Sequence, residues 1–167
     1  IWINDALVMS ETIAITAAAA LLLLTYRYVS DSSRRNLVFL GLIAGVTVMT
    51  RAELLLFIPL VMPFVAWRVS HAWRPFLLRL LAIGALAGAV MAPWVIRNLT
   101  TFEKPVTLST GVGITLTYTN CDATYYGDLL GYWNFPCIAP VPNEADQSLD
   151  EALLRKRGID YITSHKS

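Results

Sequence analysis

From residue 6 to residue 96 the chain is written in long apolar runs separated by short polar loops. The first run, residues 6–26, is long enough to cross about 30 Å of hydrocarbon at 1.5 Å per residue. Its second half, AAAALLLL, is uniform and lipid-compatible, but Ser10-Glu11 sets a carboxylate one to two turns inside its start. Such a group either snorkels to interfacial water or faces protein, water or a ligand, because lipid would cost it roughly 2.5–3.5 kcal/mol or more. A polar loop follows, with Arg27, Arg34 and Arg35, and then a helix predicted over 36–50. Gly41 and Gly45 lie there in the G-x-x-x-G spacing that permits close approach of a neighbouring helix. Thr50-Arg51-Ala52-Glu53 interrupts the apolar run, which resumes over 54–67 with Pro59 and Pro63 inside it. A second basic loop carries Arg68, His71 and Arg74. The last run, 76–96, is rich in small residues (AIGALAGA), as suits a helix packed on other helices.

The central region is either one long helix or a hairpin of two short ones, and charge favours the hairpin. A single span would put the two basic loops on opposite sides of the membrane. A turn at residues 50–53 puts both on the cytoplasmic side, as the positive-inside bias prefers. Each arm is then only about fourteen residues, short for a full span, so local thinning, burial in a larger bundle or a re-entrant geometry must cover the difference. The hairpin places residues 1–5, the turn at 50–53 and everything after Arg97 on the outer face.

Residues 91–113, MAPWVIRNLTTFEKPVTLSTGVG, divide this apolar part from a polar, turn-rich one. Ala92-Pro93-Trp94 supplies a helix breaker and an aromatic anchor, and Arg97 follows within reach of headgroup phosphates. Beyond it, 106–110 and 114–119 alternate and are rich in Thr and Val, which predicts short strands or extended chain punctuated by Gly111 and Gly113. Cys121 and Cys137 flank a stretch rich in Tyr, Trp, Gly and Pro, and on an oxidising face they most simply form one disulfide. Metal ligands at suitable spacing are not evident. From Ser148 the pattern turns helical, over 148–165. Leu149, Leu153, Ile159 and Ile162 fall on one face, Glu151 and Arg155 form an i,i+4 pair on the other, and Ser148 with Glu151 reads as a capping box.

Composition agrees with a membrane protein. Of the 167 residues, 56% are hydrophobic and 15% charged, where a soluble domain carries about 25% charged; mean hydropathy is +0.54. The net charge of +1 offers no hint of a nucleic-acid partner. The chain opens without an initiator Met and in mid-pattern, so it reads as a fragment of a longer protein, and no signal-peptide n-region or lipidation motif is visible. The expected fold is therefore an all-α polytopic membrane protein in two parts. Residues 1–97 hold about four transmembrane or short hairpin helices (6–26, 36–50, 54–67, 76–96). Residues 98–167 form an extracytoplasmic loop region with a disulfide and an amphipathic helix.

On that topology Glu11, Arg51, Glu53 and Arg97 approach the outer face together. Arginine there runs against the positive-inside trend, and its planar fork suits phosphate. Carboxylates beside it can bind sugar hydroxyls, a metal or a proton. The plainer reading makes Arg51 and Glu53 the cap of a tight turn and leaves Arg97 on ordinary lipid headgroups.

GLIAGVTVMTRAELLLFIPL at 41–60, followed by APWVIRNLTTFEKPVTLSTGVGITL at 92–116, resembles the GT-C superfamily of polytopic glycosyltransferases. The likeness is nearest to bacterial members related to protein O-mannosyltransferases and to the aminoarabinose transferase. Residues 143–144 and DEALLRKRGIDYITSHKS resemble the helix that follows the outer loop in such members. The resemblance implies a polyprenyl-phosphate sugar donor, a protein, lipid or glycan acceptor, and inverting transfer on the outer face of a bacterial plasma membrane. It also implies a catalytic acid in a first outer loop upstream of Ile1, with a divalent metal conceivable in the full-length protein. It assigns substrate binding to Glu11, Arg51, Glu53 and Arg97. Glu103-Lys104-Pro105 echoes an acidic motif of some members but stands in a different context, and no role is carried to it. Two other classes compete: a transporter or flippase segment, whose charges belong nearer mid-membrane, and a non-enzymatic membrane protein presenting a disulfide-stapled outer loop.

Overall fold

The structure, a computed structural model, describes residues 10–126, 128, 130–132, 137 and 146–165. Residues 6–9 of the first predicted span, residues 127, 129 and 133–136 of the Tyr- and Trp-rich stretch, and residues 143–144 lie outside these. Among the described residues there are seven α-helices, one 3-10 helix and no strand. The chain divides into two compact units, Ile1–Pro93 and Trp94–Ser167.

In the first unit α1 (Ser10–Ser30) and α2 (Arg34–Thr50) form an antiparallel pair. Asn36 closes the turn by donating from Nδ2 to the Asp31 carbonyl and carboxylate at 2.8 and 2.9 Å, and Ser33 caps α2 by accepting from the Asn36 amide. Farther along, the Thr47 hydroxyl reaches the Ala17 carbonyl at 3.3 Å, which fixes the register. Arg51 is extended (φ −150°, ψ 121°) and ends α2. A 3-10 helix, Ala52–Leu56, leads into α3 (Phe57–Ser70). Pro59 falls in the first turn of α3, where its missing N–H is not needed. His71 in the left-handed region (φ 50°) turns the chain into α4 (Trp73–Thr101), and Trp67 meets Phe76 edge to face across that turn.

The two glycines of α2 reveal the direction of α4. A Cβ on Gly41 would lie 2.7 Å from Leu86 Cβ, and one on Gly45 would lie 2.7 Å from both the Ala87 carbonyl and Val90 Cβ. Contacts therefore advance in the same sense along both chains, so α2 and α4 run parallel and α3 returns between them. The central region is a hairpin. Its core joins Leu21 and Tyr28 of α1, Leu40 and Ala44 of α2, Met62 and Val65 of α3, and Ile83 and Ala87 of α4. Outward faces are also apolar: Phe64 is 78% exposed, and Ile15, Leu60 and Leu78 are comparably bare. Three stretches, Glu11–Ser30, Ala52–Ser70 and Trp73–Thr101, are long and apolar enough to cross a membrane. α2, with 17 residues, spans about 25 Å.

Predicted over 76–96, α4 continues to Thr101 with Pro93 inside it. Proline removes its own N–H bond and crowds the carbonyl four residues earlier, and in the second unit two side chains hold the last turns in place. Trp94 Nε1 donates to the Leu108 carbonyl (3.1 Å), and buried Asn98 donates from Nδ2 to the Thr107 carbonyl (3.0 Å).

The predicted strand at 114–119 is a helix instead, α5 (Val112–Thr119), and 106–110 is irregular. Its threonines satisfy their hydroxyls within the helix: Thr115 bonds the Gly111 carbonyl and Thr119 that of Thr115. Thr117 lies 2.9 Å from both the Gly113 and Leu154 carbonyls. α6 (Asp122–Tyr125) follows, and Cys121 is joined to Cys137. α7 (Gln147–Ser164) packs on α5 through Gly113 and Gly158.

The contacts of α7 also depart from the sequence pattern. Its cap is Asp146, which accepts from the Ser148 amide, and no Ser148–Glu151 box forms. Ser148 Oγ instead accepts from the Lys104 amide and Glu151 Oε1 from the Gly113 amide (2.7 Å), so Glu151 serves α5 rather than Arg155. The buried positions are Ser148, Leu154 and Gly158, while Ile159 of the expected apolar face is exposed.

Candidate functional site

Of the four residues singled out from sequence, the structure pairs two. Arg51 Nη2 lies 2.6 Å from Glu11 Oε1, the side chains 46% and 53% exposed. The pairing follows from local structure. The antiparallel α1–α2 register brings position 11 opposite the end of α2, and Arg51 is released from helical geometry there. A half-exposed pair of this kind contributes only about 0–1 kcal/mol, so a competing anion can displace the carboxylate at small cost. Beside it is a cavity of about 240 Å³ lined by Glu11, Ala14, Ile15, Ala18, Arg51 and Leu54. The two alanines leave the space, and the walls are apolar apart from the ion pair.

Glu53 does not line this cavity. It is exposed in the first turn of the 3-10 helix. Arg97 belongs to the second unit, where its guanidinium sits 5.3 Å over the Trp94 ring and donates to Asn98 Oδ1 at 3.2 Å. A cation held on an indole face suits a headgroup phosphate. Among the described residues no group of three or more His, Cys, Asp or Glu could hold a metal ion.

The second unit carries features that the sequence pattern did not reveal. A cavity of about 410 Å³ lies between Lys104–Val106 and α7, with Glu151, Arg155, Lys156 and Asp160 on its wall. Tyr161 stacks on His165 (centroids 4.0 Å apart, 13° between planes), Tyr125 meets it edge-on, and its hydroxyl donates to Asp122 at 2.7 Å. Loss of solvent, then the Asp122 carboxylate, hold the Tyr161 hydroxyl above its ordinary pKa. The i,i+4 spacing of Tyr161 and His165 was the available signal; the contributions of Asp122 and Tyr125 depend on tertiary packing.

Asp146 ties residues 102–111 to α7. It accepts from the Glu103 amide at 2.7 Å and the Ser148 amide at 2.8 Å, and these bonds, the Glu103 one foremost, hold its carboxyl below the usual carboxylate range. A depressed pKa in the folded state means stability present above the unfolded pKa and lost as pH falls through the lower folded value. Acidification below the ordinary aspartate range should therefore lower the protection of the Glu103 and Ser148 amides, measured against the intrinsic exchange rate at each pH, in wild type. Asp146→Asn should exchange faster at neutral pH and lack the acid step. An identical acid step in both proteins, followed by hydrogen-exchange mass spectrometry, would assign the effect elsewhere.

Comparison of the chain with protein-family models, with curated proteins and with solved structures finds no match. What fold and composition define is a class: an all-α chain whose long apolar helices fit membrane association, followed by a disulfide-bonded helical unit.

Proposed function

We propose that the chain is part of an integral-membrane glycosyltransferase that takes a sugar from a polyprenyl-phosphate donor on the extracytoplasmic face. The resemblance at 41–60 and 92–116 motivates this reading, and the observation that supports it is the Glu11–Arg51 cavity. A charged mouth over apolar walls is complementary to an isoprenyl phosphate, whose chain is apolar and whose head is a dianion or monoanion. An acceptor hydroxyl displaces the polyprenyl phosphate from the anomeric carbon with inversion. The C–O bond to phosphate breaks as the new glycosidic bond forms, the hydroxyl proton passes to a general base, and charge accumulates on the departing phosphate. Arg51 stabilises that charge by a bidentate contact, with Glu11 orienting the guanidinium beforehand. No described residue is assigned the base.

A non-enzymatic reading is favoured by a different observation, and among the described residues it has the more direct structural support. Cys121–Cys137 and the α5–α7 contact build a self-contained helical unit that a membrane anchor would present to a partner. On that reading Arg51 only ends α2.

Arg51→Lys separates the two. Lysine keeps the charge and loses the fork. In full-length protein, release of polyprenyl phosphate from a labelled donor should fall about tenfold or more, the equivalent of roughly 1.4 kcal/mol of transition-state stabilisation, with unchanged folded yield. Arg51→Ala should be slower still. Equal turnover per folded molecule in all three proteins would remove Arg51 from a transfer site and leave the presenting role.

A further inference from the structure

At the other end of the first unit, independently of any glycosyl transfer, a second groove has the make-up of a lipid site. It encloses about 690 Å³ between α2 and α4, floored by Leu37, Leu78, Ala82 and Ala85, with Arg34 and Arg79 on its wall. Because α2 and α4 run parallel, both present their N-termini at this end. Neither has an acidic residue in its first turn, so the positive ends of both helix dipoles are unneutralised. Asp31, the carboxylate of the intervening turn, is already engaged by Ser33 and Asn36.

Arg79 supplies the independent observation. Partly buried on the wall of the groove, it lies within hydrogen-bonding reach of the Tyr28 hydroxyl, whose residue is fully buried. The guanidinium sits 6.0 Å from the Tyr28 ring centroid. Tyr28 thus holds the guanidinium in place, and its positive charge and further N–H donors stand on the wall of the groove, where a phosphate oxygen can accept from them. An apolar floor with a cationic end selects a molecule that is both acyl chain and anion.

We propose that this groove binds one anionic phospholipid, its phosphate between Arg34 and Arg79 and an acyl chain along Leu37, Leu78 and Ala85. The charge pattern of the basic loops places the site in the cytoplasmic leaflet, where anionic lipids attract arginine. A bound lipid there would brace α2 against α4 at the end where the G-x-x-x-G contact does not reach.

The test is native mass spectrometry of the full-length protein released from nanodiscs of phosphatidylcholine with or without phosphatidylglycerol. One phosphatidylglycerol should stay bound per chain, with phosphatidylcholine not substituting for it. Arg79→Gln should lower retention about tenfold or more, the size expected for losing a charged hydrogen bond. Exposed Arg34→Gln should weaken retention while leaving the fold intact, which covers the case in which the Arg79 variant misfolds. Ala85→Trp should expel the lipid with both arginines in place, whereas Arg68→Gln, outside the groove, should have no effect. Equal losses in Arg68→Gln and Arg34→Gln would mean diffuse surface attraction and overturn the site. Full retention in Arg34→Gln and Ala85→Trp would overturn it too, as would displacement of the lipid by inorganic phosphate alone.

Discussion

Gly113→Val should dismantle the second unit while leaving the apolar helices folded. A Cβ at position 113 would lie 2.8 Å from the Arg155 amide nitrogen and also against the Glu151 carbonyl and carboxylate. The first two are backbone atoms of α7, which cannot rotate aside, so α5 and α7 must separate. Separation also lengthens the Gly113 N–H bond to Glu151 and the Thr117 contact with Leu154. Overpacking of this kind costs roughly 1–3 kcal/mol, and lost buried hydrogen bonds add about 1 kcal/mol each. The unit should melt many degrees lower and be cut rapidly by protease between α6 and α7. Gly111→Ala is the matched control: nothing lies within 4 Å of a Cβ there, so no clash arises, and the only expected cost is the N-cap preference of glycine over alanine, about 1 kcal/mol or less. A Gly113→Val protein with wild-type protease resistance would show that the α5–α7 contact does not hold the unit together.

Gly45→Leu should have an effect of similar size on the first unit. The Cβ would meet the Ala87 carbonyl and Val90 Cβ at 2.7 Å and Ala87 Cα at 3.0 Å. Helices in lipid associate through close packing rather than through a hydrophobic drive, so forcing α2 from α4 removes what joins them. A loss of roughly 2–3 kcal/mol is expected, seen as a lower unfolding temperature in detergent and less monodisperse protein. The equally small residues on α4 predict nothing of the kind. Gly84 and Gly88 face open space, so Gly84→Leu should leave this first-unit packing unchanged. Sensitivity at Gly84 and tolerance at Gly45 would reverse the assignment of the packing face.

That contrast marks how far residue patterns reach. GLIAG and AIGALAGA look alike as small-residue segments, yet only the glycines of the first bear a neighbouring helix at contact distance. In the same way Glu11, Arg51, Glu53 and Arg97 were equivalent candidates, and helix register selected the first two as partners. Register is a property of two chains in contact, so it cannot be read from either one alone. The Asp146 cap, the true partner of Glu151 and the Tyr161–Asp122 bond were missed for the same reason.

By itself the sequence determined the apolar helices, the break at Arg51, the hairpin implied by the basic loops, the cysteine pairing and the helix near the C-terminus. Each of these follows from quantities summed locally: transfer free energy along a run, charge near a helix end, two thiols and no other partner for them. Only the tertiary structure decided that 112–119 is helical and that Glu11 meets Arg51. At those positions the local alternatives differ by about 1 kcal/mol or less, and one hydrogen bond or close contact from a distant helix is worth as much. The neighbour in space therefore chose among conformations that the local sequence left nearly equal.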